Sequence, residues 1–503
     1  MKKIIYTLSL ALFATSLFAQ QPTFITDSLD QYIKTGIKDW DIPGLAIAIV
    51  KDGKPVMIKG YGVKDMKTNA PVDENTLFMI ASNSKLFTGT SIANLAYQKK
   101  LSLNDPITKY FPNFSIYDKN ASALLTVKDL MGHKLGTKTF QGDFTFWDSN
   151  LSSEEIMNRM KLMKPIYPFR QDFGYCNSCF LTAGEVIPKV TNETWNQYVE
   201  NNILKPLGMN NTYTVHAGMS QRVNVSKPYT NQFTGVVTEI PYDNVDNLGP
   251  AASMISNVSD LSKWLMLQLD SGKYEGKQIL PWPVLRMTRD VNTALSSRKN
   301  GETHFTDYGL GVFEADDAGK QVYWHTGGAF GFVSNVCFVP ELNLGISILT
   351  NMDNQSFFEL LRHQILNAYL GKPYQNLSKD ALSGYQKTKA DDIEKLKTFQ
   401  ARVGKEKTEL ALSAYAGTYH HPLYGDITIT TSGKDLRVDM KTTQNLTAKM
   451  QYMDKDEWLM TYSNLGYGIY ATKFKIEKGK VIGLTIPTND FVEYDNYDFD
   501  KIK

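Results

Sequence analysis

Apolar positions along the chain fall into three regimes. Residues 44–50 and 55–61 are apolar runs on either side of Lys51-Asp52-Gly53-Lys54, and an Asp-Gly pair between two such runs predicts a β-hairpin. A helix-like stretch at 28–39 precedes it. From about residue 102 to 300 the spacing is mainly helical; in 260–269, for example, Leu261, Trp264, Leu265 and Leu269 share one face. Strand patterns resume at 308–313, 322–325, 333–339 and 346–350, and a helix follows over about 356–370. Strands at both ends around a helical middle predict an α+β domain closed by its own C-terminal part.

Beyond residue 371 the pattern changes. Residues 371–409 are dense in Lys, Asp and Glu, while Ile393, Leu396, Phe399 and Val403 recur at helical spacing, which predicts a connecting helix capped at Gly404. Then Ile427 and Ile429 alternate with Thr428 and Thr430, Ser432-Gly433 turns the chain, and Leu436, Val438 and Met440 alternate again. Residues 410–503 read as a small all-β domain whose hydrophobic pattern is independent of the first.

The N-terminus has the three-part form of a secretory signal: Lys2-Lys3, an apolar run over 4–18, and Ala19. Residues 1–19 are therefore expected to be removed and the mature chain exported to the periplasm or beyond. The run is shorter than the ~20 apolar residues a membrane span needs, and no later run reaches that length. A chain of 503 residues exceeds one domain, and 42% hydrophobic, 12% aromatic and 21% charged residues exclude a disordered or collagen-like chain. Without Lys2 and Lys3 the 54 basic residues fall to 52, matching the 52 acidic ones, so nucleic acid is not an expected partner. Cys176, Cys179 and Cys337 allow at most one bridge and read as small buried thiols; Cys176 and Cys179 lack the second ligand pair of a zinc site, and His420-His421 has no further ligand nearby, so no metal is expected.

Candidate chemistry begins at Ser82, where an apolar segment, 78–81, ends and a helix pattern with Phe87, Ile92 and Leu95 begins. A serine at a helix start gains from the N-terminal N–H groups, and Lys85, three residues on, shares its face and can assist proton removal. Ser296-x-x-Lys299 has the same spacing but lies among polar residues with no helix pattern after it. Tyr175-x-Asn177 offers a second proton carrier and an amide to orient a substrate; five other Tyr-x-Asn triplets exist, but Tyr175 opens a helix pattern 93 residues after Ser82. Trp324-His325-Thr326-Gly327-Gly328 lies on a predicted strand, where glycines let a ligand's backbone approach and an N–H could help form an oxyanion hole.

Ser-x-x-Lys, Tyr-x-Asn and His-Thr-Gly in this order resemble the serine β-lactamase and penicillin-binding protein family, above all its class C and peptidase S12 branch. The likeness covers about residues 24–370 and extends to Met131–Gly136, Gly249–Met254, Tyr308–Gly311 and 340–351; residues 414–426 resemble the lipocalin-like domain appended in that branch. The resemblance implies a β-lactamase-like fold with a helical insert and no cofactor. It also implies Ser82 as acylated nucleophile, Lys85 and Tyr175 as the proton-transfer pair, Asn177 as a substrate amide contact, and Ser82 and Gly328 N–H groups as the oxyanion hole, with His325, Thr326 and Gly327 along the substrate. His325 stands where β-lactamases of this branch usually carry Lys. An unperturbed His with a pKa near 6.5 would make a weaker carboxylate anchor that strengthens as pH falls. The implied activity is hydrolysis of small-molecule or peptide substrates, D-amino-acid peptides, other amides or esters. A β-lactamase and a silent cell-wall peptide binder are the alternatives, and the loop 137–147 is expected to shape the pocket.

Overall fold

The computed structural model describes residues 21–502, so the signal segment 1–19 lies outside the described residues. Helix α1 (Leu29–Asp39) leads into β1 (Gly44–Lys51) and β2 (Lys54–Asp65), with a short β3 (Ala70–Pro71). Asp52 and Gly53 both have positive φ, +52° and +73°, the backbone a type I′ turn requires, which fixes the hairpin register Lys51 opposite Lys54. After the helical region come β4 (Thr293–Ser296), β5 (Thr306–Tyr308), β6 (Phe313–Asp317), β7 (Lys320–Ala329), β8 (Phe332–Val339), β9 (Leu344–Thr350) and a helix (Phe357–Tyr369). These strands form one antiparallel sheet in the order β4-β5-β6-β7-β8-β9-β1-β2-β3, which joins the two sequence ends at β9–β1.

The unbroken apolar run in β1 follows from burial on both faces. Leu45, Ile47 and Ile49 pack toward the C-terminal helix and α1 with Leu361, Ile365, Leu29 and Ile33; Ala46, Ala48 and Val50 face the opposite core, which holds Leu261, Trp264 and Leu265 of the helix Val258–Leu269. The strand expected over 308–313 is broken. Gly311 turns at φ +86°, and a Cβ on Gly309 would stand 2.2 Å from the Thr288 carbonyl oxygen, so 309–312 forms a loop between β5 and β6.

The linker helix runs from Leu377 to Arg402 and starts before its apolar spacing does, because Tyr385 stacks on Trp40 at 4.9 Å. It ends two residues before Gly404, whose N–H donates to the Tyr452 carbonyl rather than capping the helix. Eight strands then close a barrel: β10 (Gly417–His421), β11 (Gly425–Ser432), β12 (Asp435–Met440), β13 (Thr447–Tyr452), β14 (Glu457–Tyr462), β15 (Ile469–Glu477), β16 (Lys480–Ile486) and β17 (Tyr497–Lys501). Its interior is filled by side chains including Tyr419, Trp458 and Phe474. The two hydrophobic patterns are not independent in the packing, since Phe144 of the first domain sits 5.5 Å from Tyr424 and 5.1 Å from Tyr497 of the barrel, within one continuous core.

Candidate active site

Ser82 occupies a 3₁₀ turn, Ala81–Asn83, that runs directly into helix α2 (Ser84–Tyr97). Ala81 is held at φ +44°, a left-handed conformation costing an L-residue about 1–2 kcal/mol. The surroundings enforce it: the Ser84 hydroxyl donates to the Ala81 carbonyl at 2.7 Å and accepts the Met254 N–H at 3.0 Å. Across from this turn, β7 comes so close that a Cβ on Gly327 would lie 2.0 Å from the Ile80 carbonyl oxygen. Glycine is therefore required there by contact alone.

Lys85, one α-helical turn on, is fully buried, with Nζ 3.1 Å from Ser82 Oγ, 2.6 Å from Asn177 Oδ1 and 2.9 Å from the Ala251 carbonyl oxygen. Burial lowers its pKa from 10.5 to about 7, against the opposing pull of Asp143. Asn177 begins a helix (Asn177–Gly184) and donates through Nδ2 to Asp143 Oδ2 at 2.6 Å. Both ends of its amide are engaged, so the expected substrate contact falls to its second Nδ2 hydrogen. Asp143 is itself buried, and desolvation, Cys176 and Glu493 push its carboxyl well above the usual range.

Tyr175 lies against Lys85, whose Nζ sits 4.7 Å from the ring centroid, and stacks at 4.5 Å on His133. Burial drives its hydroxyl strongly upward, partly offset by a hydrogen bond with Ser82, so it stays protonated through the neutral range. His133 Nδ1 accepts the Cys176 N–H at 2.9 Å, and burial with Lys85 nearby keeps the ring neutral.

His325 does not behave as the sequence suggested. It is buried on β7, its Nδ1–H donates to the Thr326 carbonyl at 2.6 Å and its Nε2 lies 3.2 Å from the Tyr308 hydroxyl. A carbonyl oxygen only accepts, so Nδ1 carries the proton and Nε2 takes the Tyr308 O–H. Burial and the neighbouring Lys85 lower its pKa to about 3, which removes the expected titration near neutrality. Ser296, by contrast, ends the edge strand β4 and is exposed, without a helix after it.

Ser82, Tyr175, Asn177, His325, Thr326, Gly327 and Gly328 line one cavity of about 470 Å³, with Lys85 beneath it. The expected loop supplies Thr139, Phe140, Asp143 and Trp147. Phe173, Phe313, Val333 and Phe358 add apolar lining, and sequence reasoning missed a further wall: Asp490, Phe491, Val492 and Tyr494, from the barrel loop between β16 and β17. Phe491 lies over Gly328, where a Cβ would approach its ring to 2.9 Å, and stacks on Phe330 at 5.7 Å. Glu493, in the same loop, accepts the N–H groups of Gly142 at 2.8 Å and Phe144 at 3.0 Å, pinning the segment that carries Asp143. No local pattern in 487–496 announces this, because the contacts span some 350 residues of sequence. The three cysteines are free and buried, and among the described residues no cluster of metal-ligating side chains occurs. Among the same residues no helix is long and apolar enough to cross a membrane.

The beta-lactamase family model matches residues 29–370, and a domain of unknown function, DUF3471, matches residues 401–501. Protein flp of Staphylococcus aureus (strain MRSA252) is 30% identical over 355 residues, covering 67% of this chain and 66% of that protein, so the likeness spans just under two thirds of that curated relative. Unguisins hydrolase ungD of Aspergillus violaceofuscus is 22% identical over 456 residues, 84% of this chain and 79% of that protein. The octameric penicillin-binding protein homologue from Pyrococcus abyssi superposes with a TM-score of 0.61 at 20% identity over 94% of this chain and 99% of that one, a likeness of fold.

Proposed function

The chain belongs to the beta-lactamase family, and from that premise we propose that it is a serine hydrolase acting through an acyl-enzyme on Ser82. The observation that carries the reading is Lys85: a buried amine 3.1 Å from Ser82 Oγ, with its pKa lowered to about 7, is partly unprotonated at neutral pH and can take the serine proton. In acylation Oγ attacks the substrate carbonyl carbon while its proton passes to Lys85 Nζ. The oxyanion forms beside the Ser82 and Gly328 N–H groups. Tyr175, still protonated, gives its proton to the leaving nitrogen or oxygen and recovers one from Lys85. Water then attacks the ester by the reverse route and releases Ser82.

D-amino-acid peptides and related amides or esters are the substrates this reading favours, on the likeness of the three motifs to the class C and peptidase S12 branch. The same likeness suggests a lipocalin-like origin for the barrel and, with residues 1–19, export. A relative named as a hydrolase supports hydrolysis over silent binding. The neutral His325 leaves β7 without a fixed cation for a substrate carboxylate, which favours neutral esters and amides over β-lactams.

The test is covalent labelling with a fluorophosphonate followed by peptide mapping. The adduct is expected on Ser82 and absent in Ser82→Ala; an adduct on Ser296, or undiminished labelling of Ser82→Ala, refutes the assignment.

A further inference from the structure

Strand β7 borders two cavities: residues 325–328 line the cleft, and residues nearer its start line another. His325 faces the cleft, while Val322 and Trp324 line a separate cavity of about 350 Å³ between the β4–β7 end of the sheet and the helix Phe357–Tyr369. Arg362 of that helix also lines this cavity and is 4% exposed. Its guanidinium carbon lies 5.2 Å from the Trp324 ring centroid and its Nη2 is 2.8 Å from His363 Nε2. Since a guanidinium donates only, His363 Nε2 is the acceptor and His363 contributes no charge there.

Among the described residues no carboxylate pairs with Arg362, and its Nε has no acceptor at all. Buried charges are ordinarily paired, because an unpaired one forfeits its hydration without recompense. The acid on this cavity wall, Asp317, is already engaged by Lys372, which also reaches Glu302 at 2.8 Å. At the rim Arg298 presents a second guanidinium, exposed and without an ion-pair partner among the described residues. The cavity thus joins two unneutralised guanidinium groups to apolar surface from Trp324 and Leu366.

We propose that this cavity is a binding site for a small organic oxyanion, with its carboxylate or phosphate head on Arg362 and Arg298 and its apolar body against Trp324 and Leu366. The planar fork of arginine suits either head, and the two guanidinium groups supply the charge that the protein itself leaves unmatched. The site lies behind β7, separate from Ser82, and does not depend on the hydrolase reading.

Titration calorimetry on the full chain with benzoate and phenyl phosphate, each against chloride at matched ionic strength, tests it. Both are expected to bind, the tighter one identifying the preferred head, and acetate and inorganic phosphate, which lack the apolar body, are expected to bind more weakly. Arg298→Ala, at an exposed rim position, and Arg362→Lys, which keeps the charge but loses the fork, should each raise Kd at least about tenfold. Arg362→Met should abolish binding and raise the thermal midpoint, since it removes an unpaired buried charge; if it fails to fold, the other two variants decide. No heat beyond the chloride control, or unchanged affinity in both Arg298→Ala and Arg362→Lys, overturns the proposal.

Discussion

The two walls of the cleft are built on different physical terms. The wall from the first half of the chain holds its groups in a buried relay, Ser82 to Lys85 to Asn177 to Asp143, with successive separations of 3.1, 2.6 and 2.6 Å. The wall from the barrel offers Asp490, Phe491, Val492 and Tyr494 from a loop; Tyr494 is 56% exposed, and none of the four bonds to the relay. Desolvation on the first wall tunes proton affinities, whereas these four residues of the second wall act on what shape can enter; their neighbour Glu493 reaches the first wall, through Gly142 and Phe144. Rate and selectivity should therefore separate by wall.

The sharpest way to break this contrast is Tyr175→Phe. It should lower kcat by about 10²–10⁴-fold, the usual worth of a positioned acid or base, in a protein that keeps its fold because the ring still stacks on His133. A loss below tenfold in single-turnover acylation would take Tyr175 out of the proton transfer.

Next in size is a linkage effect. Burial lowers the Lys85 pKa from 10.5 to about 7, so between those values the unfolded chain holds more protons than the native one. Native stability must then rise with pH across that window, by at most about 1.4 kcal/mol per unit from this group. Urea midpoints of the native protein and Lys85→Met at neutral and alkaline pH should show the slope lost in the variant, and kcat/KM should climb through about pH 7 as Lys85 gives up its proton. Parallel stability curves would contradict a desolvated amine.

Phe491→Ala probes the other wall. It should alter the kcat/KM ratio between a bulky and a small ester by roughly tenfold, as expected of an altered apolar pocket, with a smaller change for the small ester. Equal losses on both would mean that the barrel wall serves the chemistry. The smallest effect is expected at His325: the ratio of a carboxylate-bearing substrate to its matched neutral analogue should stay flat between about pH 5 and 8, because the ring titrates near 3. An inflection near pH 6.5 that vanishes in His325→Gln would restore the cationic anchor.

What could be read from sequence follows from how local each signal is. The Asp52-Gly53 turn, the doubly buried β1 and the start of α2 after Ser82 are set by residues within a few positions, and each stands where its pattern placed it. The strand over 308–313 failed because apolar alternation says nothing of Gly309 wedged against Thr288 or of Gly311 at positive φ. His325 lies where its motif placed it, but its charge depends on burial and on Lys85, far away in sequence. The bond of Asp143, within the expected loop, to Asn177 and the barrel wall were invisible for the same reason: a loop residue becomes a site residue only through what folds against it.

Glu493 gives the architecture a direction in time. Its carboxylate holds the N–H groups of Gly142 and Phe144, so the segment bearing Asp143 is fastened by a residue some 350 positions later in the chain. Chains emerge from the ribosome N-terminus first, and early domains begin to fold before later ones exist. Ser82, Lys85 and Tyr175 precede the barrel in the chain, so the cleft that would receive a substrate has one side missing until the loop between β16 and β17 has been made. Synthesis of the barrel is thus itself a step in finishing the pocket.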